Sequence, residues 1–386
     1  MLALGAAGIR VYGAWSWLRG PRPTLPLPLD DMRRILVIRV DLLGDVVLSI
    51  PALQALRNAF PLAEIDVLTL PFTAPVLEHV AGLHAIYRID VNAYRRPEGL
   101  LAIGKLVRTI QVLRRRRYDL AIGLSGLMGG VFAVLTGARI RVGYGGETFP
   151  GAYNAPVPGA RYLRAQHEVE YGVDLVRALV PSVGGATRAH PSISWQPATG
   201  GPIATTPIAR AYAVLVPGAT NGAAKRWPAS KWAELADRLV SEWHLDVIWS
   251  GSSVEAALVR AIQDQMATPS LNLAGKTSID DLMALLAGAR VVVAGDTGPL
   301  HLAAALGRPV VGIFGPTDPV SSGPRSEDAA VVRAGLPCSP CYDMRTPADC
   351  KLPDRGMPCM WNVGSNQVLA AIGSVLLSRP ADQHVH

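Results

Sequence analysis

The chain has 386 residues, enough for two ordinary domains rather than one. Hydrophobic residues make up 49% and charged residues only 17%, so two cores can be filled and a disordered chain is excluded. The formal net charge of +7 suits anionic partners without choosing among phosphates, acidic headgroups and nucleic acid. Aromatic residues are sparse, at 6%, and are not interleaved with basic ones, so nucleic-acid binding is not expected.

The first apolar stretch, Met1 to Leu18, is interrupted by Arg10 and weakened as a helix by Gly5, Gly8 and Gly13. It falls short of the about 18 uninterrupted apolar residues of a membrane span, and no clear cleavage site follows it. Residues 1–31 therefore read as an extension. Either it touches a membrane through Trp15 and Trp17 beside Arg19 and Arg22, or it is dispensable and the ordered chain starts near Met32.

Regular patterning begins after the Pro-rich segment Pro21 to Pro28. Ile35 to Val40 is an apolar run broken only by Arg39, as in a buried parallel strand. Helical periodicity follows through Leu53, Leu56 and Ala59. Strands are expected at Ile65 to Leu70 and Ile86 to Ile89, an amphipathic helix at Leu101 to Leu113, and strands at Leu120 to Leu124 and Arg139 to Val142. A helix spans His167 to Val180. Periodicity then fails over residues 181–210, which are rich in Pro, Gly, Ser, Thr and Ala and read as the linker. Alternation resumes with a strand at Tyr212 to Val216, a helix at Ser230 to Trp243, a strand at Leu245 to Trp249 and a helix at Ser253 to Met266. A strand at Val291 to Ala294, a helix at Pro299 to Leu306 and a strand at Pro309 to Ile313 complete the series. This alternation, occurring twice, implies two α/β domains with parallel sheets. They are placed at residues 32–195 and 205–378, with a tail at 379–386 and a cleft between them.

Three loops stand out, each after the carboxyl end of an expected strand, where open α/β sheets bind ligands. In Arg39-Val-Asp-Leu-Leu-Gly-Asp45, Gly44 permits a tight turn and Asp45 falls near a helix start. There it is either an N-cap or a general base able to deprotonate a hydroxyl nucleophile. In the second loop, Val216-Pro-Gly-Ala-Thr220 and Lys225-Arg-Trp-Pro228 combine small residues, a hydroxyl and two cations. That set suits a diphosphate, though a solvated turn before a helix would look alike. The third, Asp296-Thr297-Gly298-Pro-Leu-His301, delivers a strand directly to the first turn of a small-residue helix, where unpaired N–H groups attract phosphate oxygens. His301 lies one turn in.

The four cysteines form the pattern C-x2-C-x8-C-x8-C from Cys338 to Cys359. The first pair has zinc-like spacing but the second is not a knuckle, so a thiol-rich loop is the preferred reading and no metal is expected. No D-x-D triplet is present to tie a divalent ion to a diphosphate. The run Arg114 to Arg117 is either a solvated face or a docking point for anionic lipid or a phosphorylated acceptor.

Together the Arg39-to-Pro51 segment, the Lys225-Arg-Trp-Pro segment and the Asp-Thr-Gly-Pro-Leu-His block, in this order, resemble glycosyltransferase family 9, the ADP-heptose:lipopolysaccharide heptosyltransferases. The likeness runs from about Ile35 to about Leu377. It implies a GT-B fold of two Rossmann-like domains, the first binding the acceptor and the second the donor, and a metal-independent, inverting transfer with no cofactor. By position, Asp45 matches the catalytic base, Lys225 the phosphate-binding lysine, and Asp296, Thr297, Gly298 and His301 the donor loop, with Thr220 joining the phosphates. Gly251 and Glu255 are further candidates for the nucleoside. The implied partners are a nucleotide sugar and a lipopolysaccharide or other glycan acceptor, at a cytoplasmic location with peripheral contact to an anionic inner membrane. Another nucleotide sugar and glycan, or a non-catalytic glycan-binding protein keeping the fold, are the alternatives.

Overall fold

The computed structural model describes residues 23–26, 32–91, 99–149, 151–160, 166–181, 189–195, 210–219, 222–342, 350 and 356–377. Most of the expected extension, most of the linker and the tail lie outside these residues. The chain divides into two compact units, Met1–Ala189 and His190–His386.

The first unit holds strands β1 (Arg34–Arg39), β2 (Glu64–Thr69), β3 (Ala85–Arg88), β4 (Leu120–Gly123), β5 (Ile140–Tyr144) and β6 (Ala155–Val157). Its helices are α1 (Leu43–Leu48), α2 (Ile50–Ala59), α3 (Ala74–Glu78), α4 (Gly99–Arg116), α5 (Gly126–Thr136) and α6 (Glu168–Leu179). The second unit holds β7 (Tyr212–Val216), β8 (Asp246–Trp249), β9 (Leu271–Asn272), β10 (Val291–Gly295), β11 (Val310–Ile313) and β12 (Ala329–Val332). Around them lie α7 (Ala229–Ser241), α8 (Ala256–Gln263), α9 (Ile279–Ala287), α10 (Gly298–Ala305), α11 (Pro319–Ser322), α12 (Pro358–Trp361) and α13 (Ser365–Leu377).

Every strand pairing is parallel. The strand orders are β3-β2-β1-β4-β5-β6 and β12-β11-β10-β7-β8-β9. Counted within each unit, both follow the doubly wound order 3-2-1-4-5-6. The direction of winding reverses between the first and fourth strands, so consecutive crossovers leave to opposite faces and a crevice opens at the carboxyl ends. That point lies between β1 and β4 in the first unit and between β7 and β10 in the second. Central strands read as unbroken apolar runs because both faces are covered: β7 and β10 are buried at every residue.

Several elements carry no clear sequence signal. Helix α5 (GLMGGVFAVLT) has almost no polar face, so its periodicity vanishes, and Gly137 closes it at φ 70° where a left-handed residue is needed. The edge strands β6, β9 and β12 are only two to four residues long. Helices α9 and α13 also went unpredicted, although a Ser278–Asp281 capping box opens α9. In the second core Trp232 meets Trp227 and Trp249 edge-to-face, with ring centroids 5.1 and 6.1 Å apart. Among the described residues no helix is long and apolar enough to cross a membrane.

Candidate functional site

At the switch point of the first unit, β1 ends on Arg39, which is 3% exposed. Its guanidinium donates to the Asp45 carbonyl from Nε (3.0 Å) and Nη2 (2.8 Å), to the Leu124 carbonyl past the end of β4, and to Glu168 Oε1 at 3.1 Å. Asp41 Oδ2 lies 3.2 Å from Nη1 and accepts from Ser125 Oγ at 2.6 Å. Asp45 is not an N-cap. Leu42 holds that position, without a side-chain cap, and Asp45 stands third in α1. An acid there is favoured by the positive helix end. Its Oδ1 is 3.6 Å from Arg39 Nη2, and the side chain is 40% exposed. Gly44 lies inside the helix and not among the positive-φ glycines, so the tight-turn reading of that residue is replaced: the chain enters α1 directly.

In the second unit β10 carries Asp296 and Thr297 into α10. Thr297 is the N-cap, with no side-chain cap bond; its hydroxyl donates to the Gly295 carbonyl at 3.4 Å. The first-turn N–H groups are therefore not taken by that side chain. Buried Ala303, Ala304 and Ala305 keep α10 close to the sheet. Asp296 Oδ2 accepts from Lys225 Nζ at 3.3 Å, and Oδ1 lies 3.7 Å from His301 Nε2. Burial alone would push the Asp296 carboxyl up, but the His301 ring and the Lys225 charge outweigh it and hold it below the usual range. His301 is 4% exposed, and its Nδ1 has no hydrogen-bond partner.

Lys225 ends a short 3-10 turn, Ala223–Lys225, entered through Gly222 at φ 139°, a conformation that favours glycine. The next aromatic, Trp227, is a core residue whose indole N–H donates to the Val363 carbonyl at 3.1 Å, anchoring the loop that presents the lysine. Tyr342 places its ring 4.3 Å from Lys225 Nζ. Thr220 lies outside the described residues. Glu255 closes a capping box on Ser252, accepting from its N–H (2.7 Å) and hydroxyl (2.8 Å). A Cβ on Gly218 would meet Glu255 Oε1 at 1.8 Å, and one on Gly251 would meet Oε2 at 3.0 Å. The structure thus gathers Lys225, Asp296, Thr297, Gly298 and His301 at the end of β10, and Gly218, Gly251 and Glu255 at the ends of β7 and β8.

The sequence reading missed Glu168 and Tyr342. Both are supplied from segments distant in the chain, and neither sits in a recognisable motif. None of the four cysteines is joined to another in a disulfide. The Cys341 N–H donates to the Pro316 carbonyl at 2.8 Å, and Cys359 Sγ is 3.1 Å from where a Gly315 Cβ would stand. Burial first, then Cys341, Cys350 and Cys338, pushes the Cys359 thiol up. Among the described residues no three His, Cys, Asp or Glu side chains form a metal-holding group. The arginine run is not uniform. Arg116 reaches Glu64 (2.7 Å) and the fully buried Asp66 (3.2 Å), and Arg114 donates to the Leu135 carbonyl at 3.2 Å.

The family model for glycosyltransferase family 9 (heptosyltransferase) matches residues 106–352. Lipopolysaccharide heptosyltransferase 2 of Escherichia coli K12 is 27% identical over 316 residues, covering 78% of this chain and 88% of that one. Lipopolysaccharide heptosyltransferase 1 of Pseudomonas aeruginosa is 30% identical over 377 residues, covering 89% and 98%. The solved structure of E. coli ADP-heptose lps heptosyltransferase II superposes with a TM-score of 0.72 at 25% identity, covering 89% and 99%. With two doubly wound sheets, phosphate-suited loops at the second sheet's switch point and relatives matching most of its length, the chain belongs to glycosyltransferase family 9 and is a glycosyltransferase of the GT-B fold.

Proposed function

We propose that the enzyme transfers heptose from ADP-heptose to a lipopolysaccharide core sugar by a single, inverting displacement without a divalent metal. The observation that carries this reading is the cluster at the end of β10: Lys225 beside Asp296, next to a helix start whose N-cap side chain takes none of the first-turn N–H groups. Such a cluster suits a departing diphosphate. Asp45 takes the proton of the acceptor hydroxyl as its oxygen attacks the anomeric carbon. The bond to the diphosphate breaks on the opposite side, which inverts that centre. Lys225 and the backbone N–H groups of Thr297 and Gly298 receive the negative charge, and Asp296 holds Lys225 in place. That cationic arrangement, and the lack of a D-x-D triplet in the sequence, support the metal-free reading. Thr220 joins the phosphates, while Gly251 and Glu255 line the nucleoside.

The donor assignment rests on the names of the relatives. Thermal shift against a panel of nucleotide sugars tests it, because a ligand that binds the native state stabilises it by mass action. ADP-heptose should raise the melting temperature more than ADP-hexoses or UDP-sugars do; a larger shift with a hexose donor overturns the heptose assignment. Peripheral contact at the cytoplasmic face of the inner membrane belongs to the same proposal. In its support, α4 leaves Ile103, Val107 and Val112 45–46% exposed, on a helix also exposing Lys105, Arg108 and Arg115. Co-sedimentation with anionic but not zwitterionic vesicles is expected, and equal recovery with both sinks it.

A further inference from the structure

We infer that Arg39 and Glu168 are a positioning pair that sets both the orientation and the basicity of Asp45. This rests on Asp45 being the base. A guanidinium 3% exposed is costly to bury unless its donors are met, and here each partner has a distinct effect. The two bonds to the Asp45 carbonyl fix the main chain of the first turn of α1. They leave the Asp45 carboxylate 3.6 Å from Nη2, beyond good hydrogen-bond length but well within electrostatic reach. Left alone with Asp45, that cation would hold its carboxylate charged and poorly basic. Glu168 at 3.1 Å and Asp41 at 3.2 Å share the charge instead, so Asp45 feels only part of it.

Glu168 is placed rigidly enough for this. It is the first residue of α6, behind the N-cap His167, whose ring accepts the Val169 N–H at 3.2 Å. Helix α6 buries Val169, Val173 and Val176 and packs on α2, which follows directly from Asp45's own helix. Ser49, Tyr144 and Tyr171 line the same small recess as Arg39 and Glu168. The Ser49 N–H donates to the Asp45 carbonyl at 3.1 Å, and the Tyr144 hydroxyl donates to the Tyr171 carbonyl at 2.9 Å. Around the Arg39–Glu168 pair thus stand Asp41 from the loop after β1, Asp45 from α1, His167 and Tyr171 from the start of α6, and Tyr144 from β5.

The test is the pH dependence of kcat/KM in the full-length enzyme with saturating acceptor. Glu168→Gln returns the full cation to Asp45 and should move the acidic limb to lower pH by about one unit, with kcat down about 10- to 100-fold as geometry loosens. Arg39→Met removes the cation and should move the same limb to higher pH. Arg39→Lys, which keeps the charge but loses the fork, should lower kcat with the limb near its wild-type position, and it serves if the methionine variant does not fold. Donor KM should stay within a few-fold throughout. A purely structural pair would lower stability and leave the limb where it is. Unmoved limbs in folded Glu168→Gln and Arg39→Met, or wild-type kcat in Arg39→Lys, overturn the positioning pair alone where Asp45→Asn is inactive. An active Asp45→Asn overturns the base assignment and the pair with it.

Discussion

Two aspartates occupy nearly equivalent places in the two units and have opposite surroundings. Asp45 follows β1 and Asp296 follows β10, each beside its sheet's switch point and each at the start of a helix. The Asp45 side chain is 40% exposed and 3.6 Å from its cation. The Asp296 side chain is 12% exposed, with Lys225 at 3.3 Å and His301 at 3.7 Å. The contrast teaches that position at a switch point brings a carboxylate to the ligand, while its immediate partners decide its use. Asp296 is committed to ordering Lys225 and His301. Asp45 keeps its carboxylate accessible while its main chain is held.

The largest effect expected from this contrast is on turnover. Asp45→Asn should lower kcat by about 10²- to 10⁴-fold, the usual contribution of a general base, with the thermal shift by ADP unchanged. Retention of activity within a few-fold would break the comparison at its first member. Asp296→Asn should instead damage the protein itself. It leaves the Lys225 charge, only 11% exposed, without its partner, a loss of up to about 3–5 kcal/mol, the cost of removing one member of a buried pair, whereas Asp45→Asn should cost less than about 1 kcal/mol. Denaturant titration of both variants decides. The sign of the pH dependence follows from the depressed Asp296 carboxyl. Its contribution is present above the unfolded aspartate value of about 3.9 and is lost as pH falls through the lower folded value. The stability gap between wild type and Asp296→Asn should therefore shrink below about pH 4; a gap constant to pH 2 would show that the ion pair contributes nothing. The smallest effect concerns Tyr342, stacked on Lys225. Tyr342→Leu should raise donor KM by roughly 2- to 10-fold, in line with a cation–π contact, and Tyr342→Phe should restore it. Equal KM values for the two variants would remove the ring from the site.

The legibility of these features in the sequence follows the range of the forces involved. The central strands were readable because burial on both faces leaves no room for polar residues, as in Val291 to Gly295. Helix α5 was not, because a helix apolar on nearly all sides has no period to read. Edge strands such as β9, two residues long, are defined by their neighbours rather than by their own composition. Within the site, Lys225, Asp296 and His301 stand in short motifs and could be named in advance. Their mutual distances could not, since Lys225 depends on Trp227 seated against Val363, 136 positions away.

The sequence by itself determined two alternating α/β halves, the placing of acids, cations and small residues after their strands, and a likeness to one transferase family. These are local properties, set by periodicity and by which residue types tolerate a turn. Only the tertiary structure decided that Asp45 is no N-cap and that Glu168, 129 positions from Arg39, shares its charge. It also decided that Tyr342 covers Lys225 and that the arginine run is partly spent on Glu64 and Asp66. Electrostatic partnership falls off within a few ångströms and ignores chain distance, so it is settled by how β1, β4 and α6 come together and not by any one segment's composition.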